Sequence, residues 1–177
     1  MLDPRSSGAY SQLAHAYRFS GDYASAATAD RISLDLQYEA GTLVMLALAH
    51  TGLGNLDDAA NFLEQAEIAN ASALSPFRLS QIALGYGLMG RTEDAARLFA
   101  QFEYSAEERP VGDAVWARAL LAIGEYEQMQ ERLESAVANR VATDLPTLTE
   151  FASNTWNVPV LDEPDIQALF GDLWNGD

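Results

Sequence analysis

The sequence contains no cysteine and no lysine. Without thiols there is no disulfide, no thiolate metal site and no cysteine nucleophile. All ten basic residues are arginine, set against 26 acidic ones, for a formal charge of −16. A chain this acidic repels phosphate, which argues against gripping nucleic acid or an anionic membrane. Long apolar runs are missing too. The longest, Leu43 to Ala49, covers seven residues, against the roughly 20 that span a bilayer. The first residues lack the apolar core of a secretory signal, so the expectation is a soluble, cytoplasmic protein. Only two histidines occur, His15 and His50. No His-Glu-x-x-His, Cys-x-x-Cys or Gly-x-Ser-x-Gly motif is present. Catalysis has little to draw on: the reading is not an enzyme, with no metal and no cofactor.

What is present is an internal repeat. Hydrophobic residues make up 49% of 177, enough for a real core. Four glycines follow amphipathic runs: Gly21, Gly54, Gly90 and Gly124, spaced 33, 36 and 34 residues apart. Seven residues before each stands alanine: Ala14, Ala47, Ala83 and Ala117. Five after come Ala26, Ala59 and Ala95, with Met129 the exception. Eight before are Leu13, Leu46, Ile82 and Trp116; four before are Tyr17, His50, Tyr86 and Leu120.

A helix, a glycine turn and a second helix explain this spacing. Glycine accepts the left-handed backbone that ends the first helix. Alanine lets the two helices approach, and the larger apolar residues fill gaps between neighbouring hairpins. One hairpin cannot bury both of its apolar faces, so stacking is required. His50 falls on a packing position. Gly52-Leu53-Gly54 and Gly85-Tyr86-Gly87 faintly suggest phosphate loops, but neither continues to Lys-Ser/Thr, and both read as helix-end turns.

A unit of about 34 residues with small side chains at these positions resembles the tetratricopeptide repeat. The resemblance covers about residues 6–142. It implies an all-α fold: a right-handed solenoid of four helix-turn-helix repeats (about 6–38, 39–74, 75–109 and 110–142), with capping helices over 143–177. Three features depart from the family pattern. Asp30 stands where a large apolar residue belongs, which predicts a shifted or exposed second helix. Thr92 replaces an apolar residue, and the proline that closes each repeat is absent. Ser75-Pro76 reads as an N-cap followed by proline at the first helical position, with the two extra residues of the second spacing lying before it.

Both ends carry signals. Leu2-Asp3-Pro4 resembles the close of a preceding repeat, which suggests a start inside a longer array. In the tail, Thr143 and Asp144 offer caps for a helix through Leu148, Phe151 and Ala152. Asn157-Val158-Pro159 breaks the chain, and Asp162-Glu163-Pro164-Asp165 opens a last helix with Ile166, Leu169, Phe170 and Leu173 on one face. Residues 143–177 hold seven acids and no base, which suits a cap with a polar outer face. The stretch Glu163-Pro164-Asp165-Ile166-Gln167-Ala168-Leu169 is similar to the ending of tetratricopeptide regions in bacterial adenylate cyclases and winged-helix regulators.

In a tetratricopeptide superhelix the first helices line a concave groove. By register the groove residues are Ser11, His15 and Arg18; Val44, Leu48 and Thr51; Phe77, Ser80, Gln81 and Leu88; and Ala114, Arg118 and Leu121. The centre is apolar, with an arginine towards each end. The lysines of a carboxylate-clamp groove are missing, and such a lining suits an amphipathic helix or extended apolar peptide. The alternative is a groove already filled by neighbouring repeats, the tail or a second copy. The resemblance implies a non-catalytic protein-interaction module with a protein or peptide partner. The preferred context is the C-terminal region of a larger bacterial signalling or transcription regulator, with homodimerisation through Phe170 and Trp174. The alternative context is a free-standing adaptor or co-chaperone.

Overall fold

A computed structural model of the chain describes residues 5–69, 74–139 and 141–174, with side chains described as far as 171 in the last segment. Among these residues the backbone is helical with no strand. No described helix is long and apolar enough to cross a membrane. The chain divides into two compact units, Met1–Leu74 and Ser75–Asp177.

The first unit contains α1 (Ser7–Phe19), α2 (Tyr23–Leu36), α3 (Ala40–Gly52) and α4 (Leu56–Ala69). Ser6 starts α1 by accepting the Ala9 N–H at 3.1 Å, and Asp22 starts α2 by accepting that of Ser25 at 3.0 Å. Each cap satisfies a donor that the first helical turn leaves unpaired. α1 pairs with α2, α3 with α4, and α2 packs along α3. Ala14, Ala26, Ala47 and Ala59 are fully buried, as the close approach of paired helices requires.

The second unit contains α5 (Pro76–Leu88), α6 (Thr92–Glu108), α7 (Asp113–Ile123), α8 (Tyr126–Asn139), α9 (Leu145–Ala152), a short 3-10 turn (Pro159–Asp162) and α10 (Pro164–Trp174). Ser75 caps α5 through the Arg78 N–H, with Pro76 in the first helical turn, as the sequence predicts. α5 pairs with α6 and α7 with α8; α5 and α6 both pack on α7. α9 lies against α7 and α8, and α10 against α8. Phe102 of α6 meets Trp116 of α7 edge-on at 4.6 Å, and Phe151 meets Trp156 likewise at 5.0 Å. Ile166 and Phe170 are buried on the inner side of α10.

The turn chemistry repeats four times. Gly21, Gly54 and Gly90 have φ 74° and Gly124 has φ 78°. The N–H after each glycine donates to the carbonyl five residues earlier: Asp22 to Tyr17, Asn55 to His50, Arg91 to Tyr86 and Glu125 to Leu120, at 2.9 to 3.1 Å. This is the bond pattern of a Schellman motif.

Two expectations are corrected. Asp30 is neither exposed nor a cause of a shifted helix. It is fully buried in an unbroken α2 and accepts a bond from Arg18 at 2.5 Å. Gly87 lies in the last turn of α5, at the helix end where the register places it, and a Cβ there would run into the Ala122 carbonyl oxygen of α7. Asp144 precedes α9 but makes no side-chain cap there. It lies beside the start of α7, where a Cβ on the N-cap Gly112 would run into its carboxylate, and its Oδ1 is buried without a hydrogen-bond partner. The extra residues before Ser75, and Leu2-Asp3-Pro4, lie outside the described residues.

Candidate interaction surface

The sequence-predicted groove residues are mostly interior. In the first unit Ser11 and His15 are half-buried. The Ser11 hydroxyl bonds that of Ser33 at 2.8 Å, and His15 stacks against Phe19 at 4.5 Å. Val44 and Leu48 are buried, and the half-buried Thr51 returns its hydroxyl to the Ala47 carbonyl at 2.9 Å. Arg18 is buried with Asp30. Burial raises the Asp30 pKa from the ordinary 3.8 to about 6, because the cost of desolvating the carboxylate exceeds what Arg18 returns. One carboxylate oxygen of Asp30, Oδ1, is buried without a hydrogen-bond partner.

In the second unit Ser80, Gln81, Ala114, Arg118 and Leu121 are buried, Leu88 is half-buried, and Phe77 alone of this set is exposed, at 40%. Arg118 is 1% exposed and spends its guanidinium inside the unit. Its Nε donates to Ser80 Oγ at 3.1 Å, Nη1 to Glu150 Oε2 at 3.2 Å and Nη2 to the Phe77 carbonyl at 3.4 Å. The group also lies over the Phe77 ring at 4.4 Å. Burial pushes its pKa down, and the charge of Glu150 opposes that shift. Glu150 belongs to α9, so in the second unit the tail occupies the inner face of α7. Gln81 is held by Arg78 at 2.6 Å.

His50 sits half-buried against Phe62 at 5.3 Å. Phe170, assigned to self-association by sequence, is buried within its own chain; the Trp174 side chain lies outside the described residues. Among the described residues no group of three His, Asp or Glu is placed to hold a metal ion.

An open apolar feature lies elsewhere. On the outer face of the α1–α2 hairpin a cleft of about 310 Å³ is lined by Tyr10, Leu13 and Tyr17 of α1 and by Thr28, Ala29 and Ile32 of α2, among others. Tyr10, Leu13, Tyr17 and Ile32 are each half-buried, so their apolar surface meets solvent. Sequence reasoning placed Leu13 and Tyr17 correctly in register but read them as filling between hairpins.

No family model matches this chain, and no curated protein matches it.

Proposed function

We propose that this chain is a non-catalytic protein-interaction module built from tetratricopeptide-like hairpins, and that it makes contact through an outer hairpin face. The observation that carries this reading is the open cleft of Tyr10, Leu13 and Tyr17. Aromatic and aliphatic side chains held on rigid helices, with one side wet, are the composition of contact anchors. By contrast, the charged side chains of the predicted groove are committed to Asp30 and Glu150. Peptide capture along the groove of the second unit would require α9 to leave Arg118. The tail sequence from Glu163 to Leu169 supports a setting within a bacterial signalling or transcription regulator.

The test is retention of protein partners from native extract on immobilised full-length chain. Wild type and the groove variant Phe77→Ala are expected to retain the same partner, and Leu13→Glu with Tyr17→Ser to lose it, all with the wild-type helical signal. Loss with Phe77→Ala alone would return the contact to the groove. Retention of nothing by any form would overturn the interaction reading.

A further inference from the structure

The inner face of α7 is closed by the chain itself. α9 has eight residues and lies against α7 and α8. Thr147, Leu148 and Phe151 form its buried side, and Glu150 reaches Arg118 at 3.2 Å. What α9 covers is a cationic spot in a chain of formal charge −16. Arg118 lies there, 1% exposed, and the charge of Arg78 is near enough to act against it. Ser80 and the Phe77 carbonyl also hold the guanidinium, but both are neutral. The charge is met by Glu150. A guanidinium at this depth is costly to leave unpaired, so anything that takes the place of α9 must bring a carboxylate of its own.

The seat of α9 is incompletely satisfied. Its N-cap, Asp144, makes no side-chain cap bond, and Asp144 Oδ1 is buried without a hydrogen-bond partner. A buried acceptor of this kind carries a desolvation cost that no bond returns. Beyond α9 the chain turns through Asn154 at φ 40° and Asn157 at φ 55°, left-handed backbone that costs a residue with a side chain. A helix of eight residues does not hold by itself in water. The helices beneath it are longer and are paired in hairpins. A segment with these properties opens before the hairpins it rests on.

We propose that α9 is an autoinhibitory strap over an acceptor site on the inner face of α7, and that the site receives an acidic segment of a partner protein when α9 lifts. The strap itself displays the chemistry of that segment: an aliphatic residue two places before a carboxylate and an aromatic residue directly after it. Leu148, Glu150 and Phe151 are the internal copy. A partner segment has one advantage over α9, because it need not bury a group like Asp144. Arg118 sets the sign of the ligand, since a neutral or basic segment leaves the guanidinium unpaired. This site is separate from the outer face of α1–α2, and its argument does not rest on that face.

Hydrogen exchange of the wild-type chain tests whether the strap opens. The amides of α9 are expected to exchange at least about tenfold faster than those of α7 and α8. A synthetic peptide of residues 145–157, acetylated and amidated, tests what replaces it, titrated into isotope-labelled full-length chain. The peptide should bind the Glu150→Gln chain at least about tenfold more tightly than wild type, shifting the signals of Arg118 and its neighbours in α7. The same peptide carrying Glu150→Gln should not bind, and a chain with Arg118→Met should not distinguish the two peptides. Leu148→Ala serves as a second loosened chain in case Glu150→Gln misfolds. Amides of α9 as slow as those of α7 overturn the proposal. So does a folded, loosened chain that ignores the acidic peptide, or one that binds it no better than wild type does. Dimers of the wild-type chain that exchange α9 between copies overturn it as well, because the occupant would then be a second copy. A chain that fails here yet retains a partner through its outer face leaves the interaction reading intact.

Discussion

Asp30 and Arg18 come from two helices of one hairpin and meet at 2.5 Å in a site where neither reaches bulk water. The bond explains how an acid is tolerated at an apolar position, and the orphaned Oδ1 explains why the tolerance is incomplete. A carboxyl group raised from 3.8 to about 6 holds its proton more tightly folded than unfolded. Its contribution to stability is therefore fully present below pH 3.8 and lost as the pH rises through about 6. Each unit of displacement corresponds to about 1.4 kcal/mol. The stability advantage of wild type over Asp30→Asn is expected to fall by about 1–3 kcal/mol between about pH 4 and pH 7. Urea titrations at the two pH values check this, and an unchanged difference would refute the assignment. Gly87 is a second residue with one specific job. Its missing side chain lets α5 close on the Ala122 carbonyl. Gly87→Ala is expected to cost about 1–3 kcal/mol through overpacking, read as a lowered urea midpoint with an unaltered slope.

Among the elements, the first eight helices were legible because their signals are local. Glycine at the left-handed position, alanine at the close approach and an N-cap before a proline each act within one hairpin, and each lies where the sequence places it. Longer-range pairings were not legible. Nothing near Asp30 in sequence announces Arg18, twelve residues earlier and on the other helix. Nothing near Asp144 announces that it lies against Gly112 at the start of α7. The same holds for the groove: Val44, Leu48 and Arg118 are in register, but register does not show what lies on top. For Arg118 the answer is α9. Glu150→Ala leaves a buried guanidinium without its carboxylate and is expected to cost about 2–4 kcal/mol, while adding Arg118→Met recovers much of that loss. Thermal melts of the single and double variants check the pair. Recovery should be accompanied by renewed amide protection in α9. The loop that follows has its own fastening. Asn154, at φ 40°, accepts the Val158 N–H at 2.8 Å and donates to the Val158 carbonyl and to Asp162. Asn154→Ala is expected to cost about 1–2 kcal/mol, from the left-handed strain and the lost bonds together; a urea midpoint equal to wild type would show the loop to be self-sufficient.

Across the whole molecule, 26 acids face ten arginines, and among the described residues Arg18 and Arg118 are interior. Self-repulsion on this scale acts against compaction and is screened by salt. The melting midpoint is expected to rise as sodium chloride is raised from about 20 mM to about 500 mM, beyond a Debye length of about 3–10 Å at the upper concentrations. A fall would mean that surface ion pairs such as Arg91–Asp94 and Arg132–Asp113 outweigh the repulsion.

The placement of the indole rings has a practical consequence. All three tryptophans, Trp116, Trp156 and Trp174, belong to the unit from Ser75 onward. Two of them, both half-buried, sit edge-on against phenylalanine. The unit up to Leu74 holds tyrosine but no tryptophan. Emission excited at the red edge of the spectrum is thus blind to the first unit, and an unfolding curve recorded that way belongs to the second alone. Any gap between that curve and one followed by far-ultraviolet dichroism is the optical signature of the first four helices, read without a label.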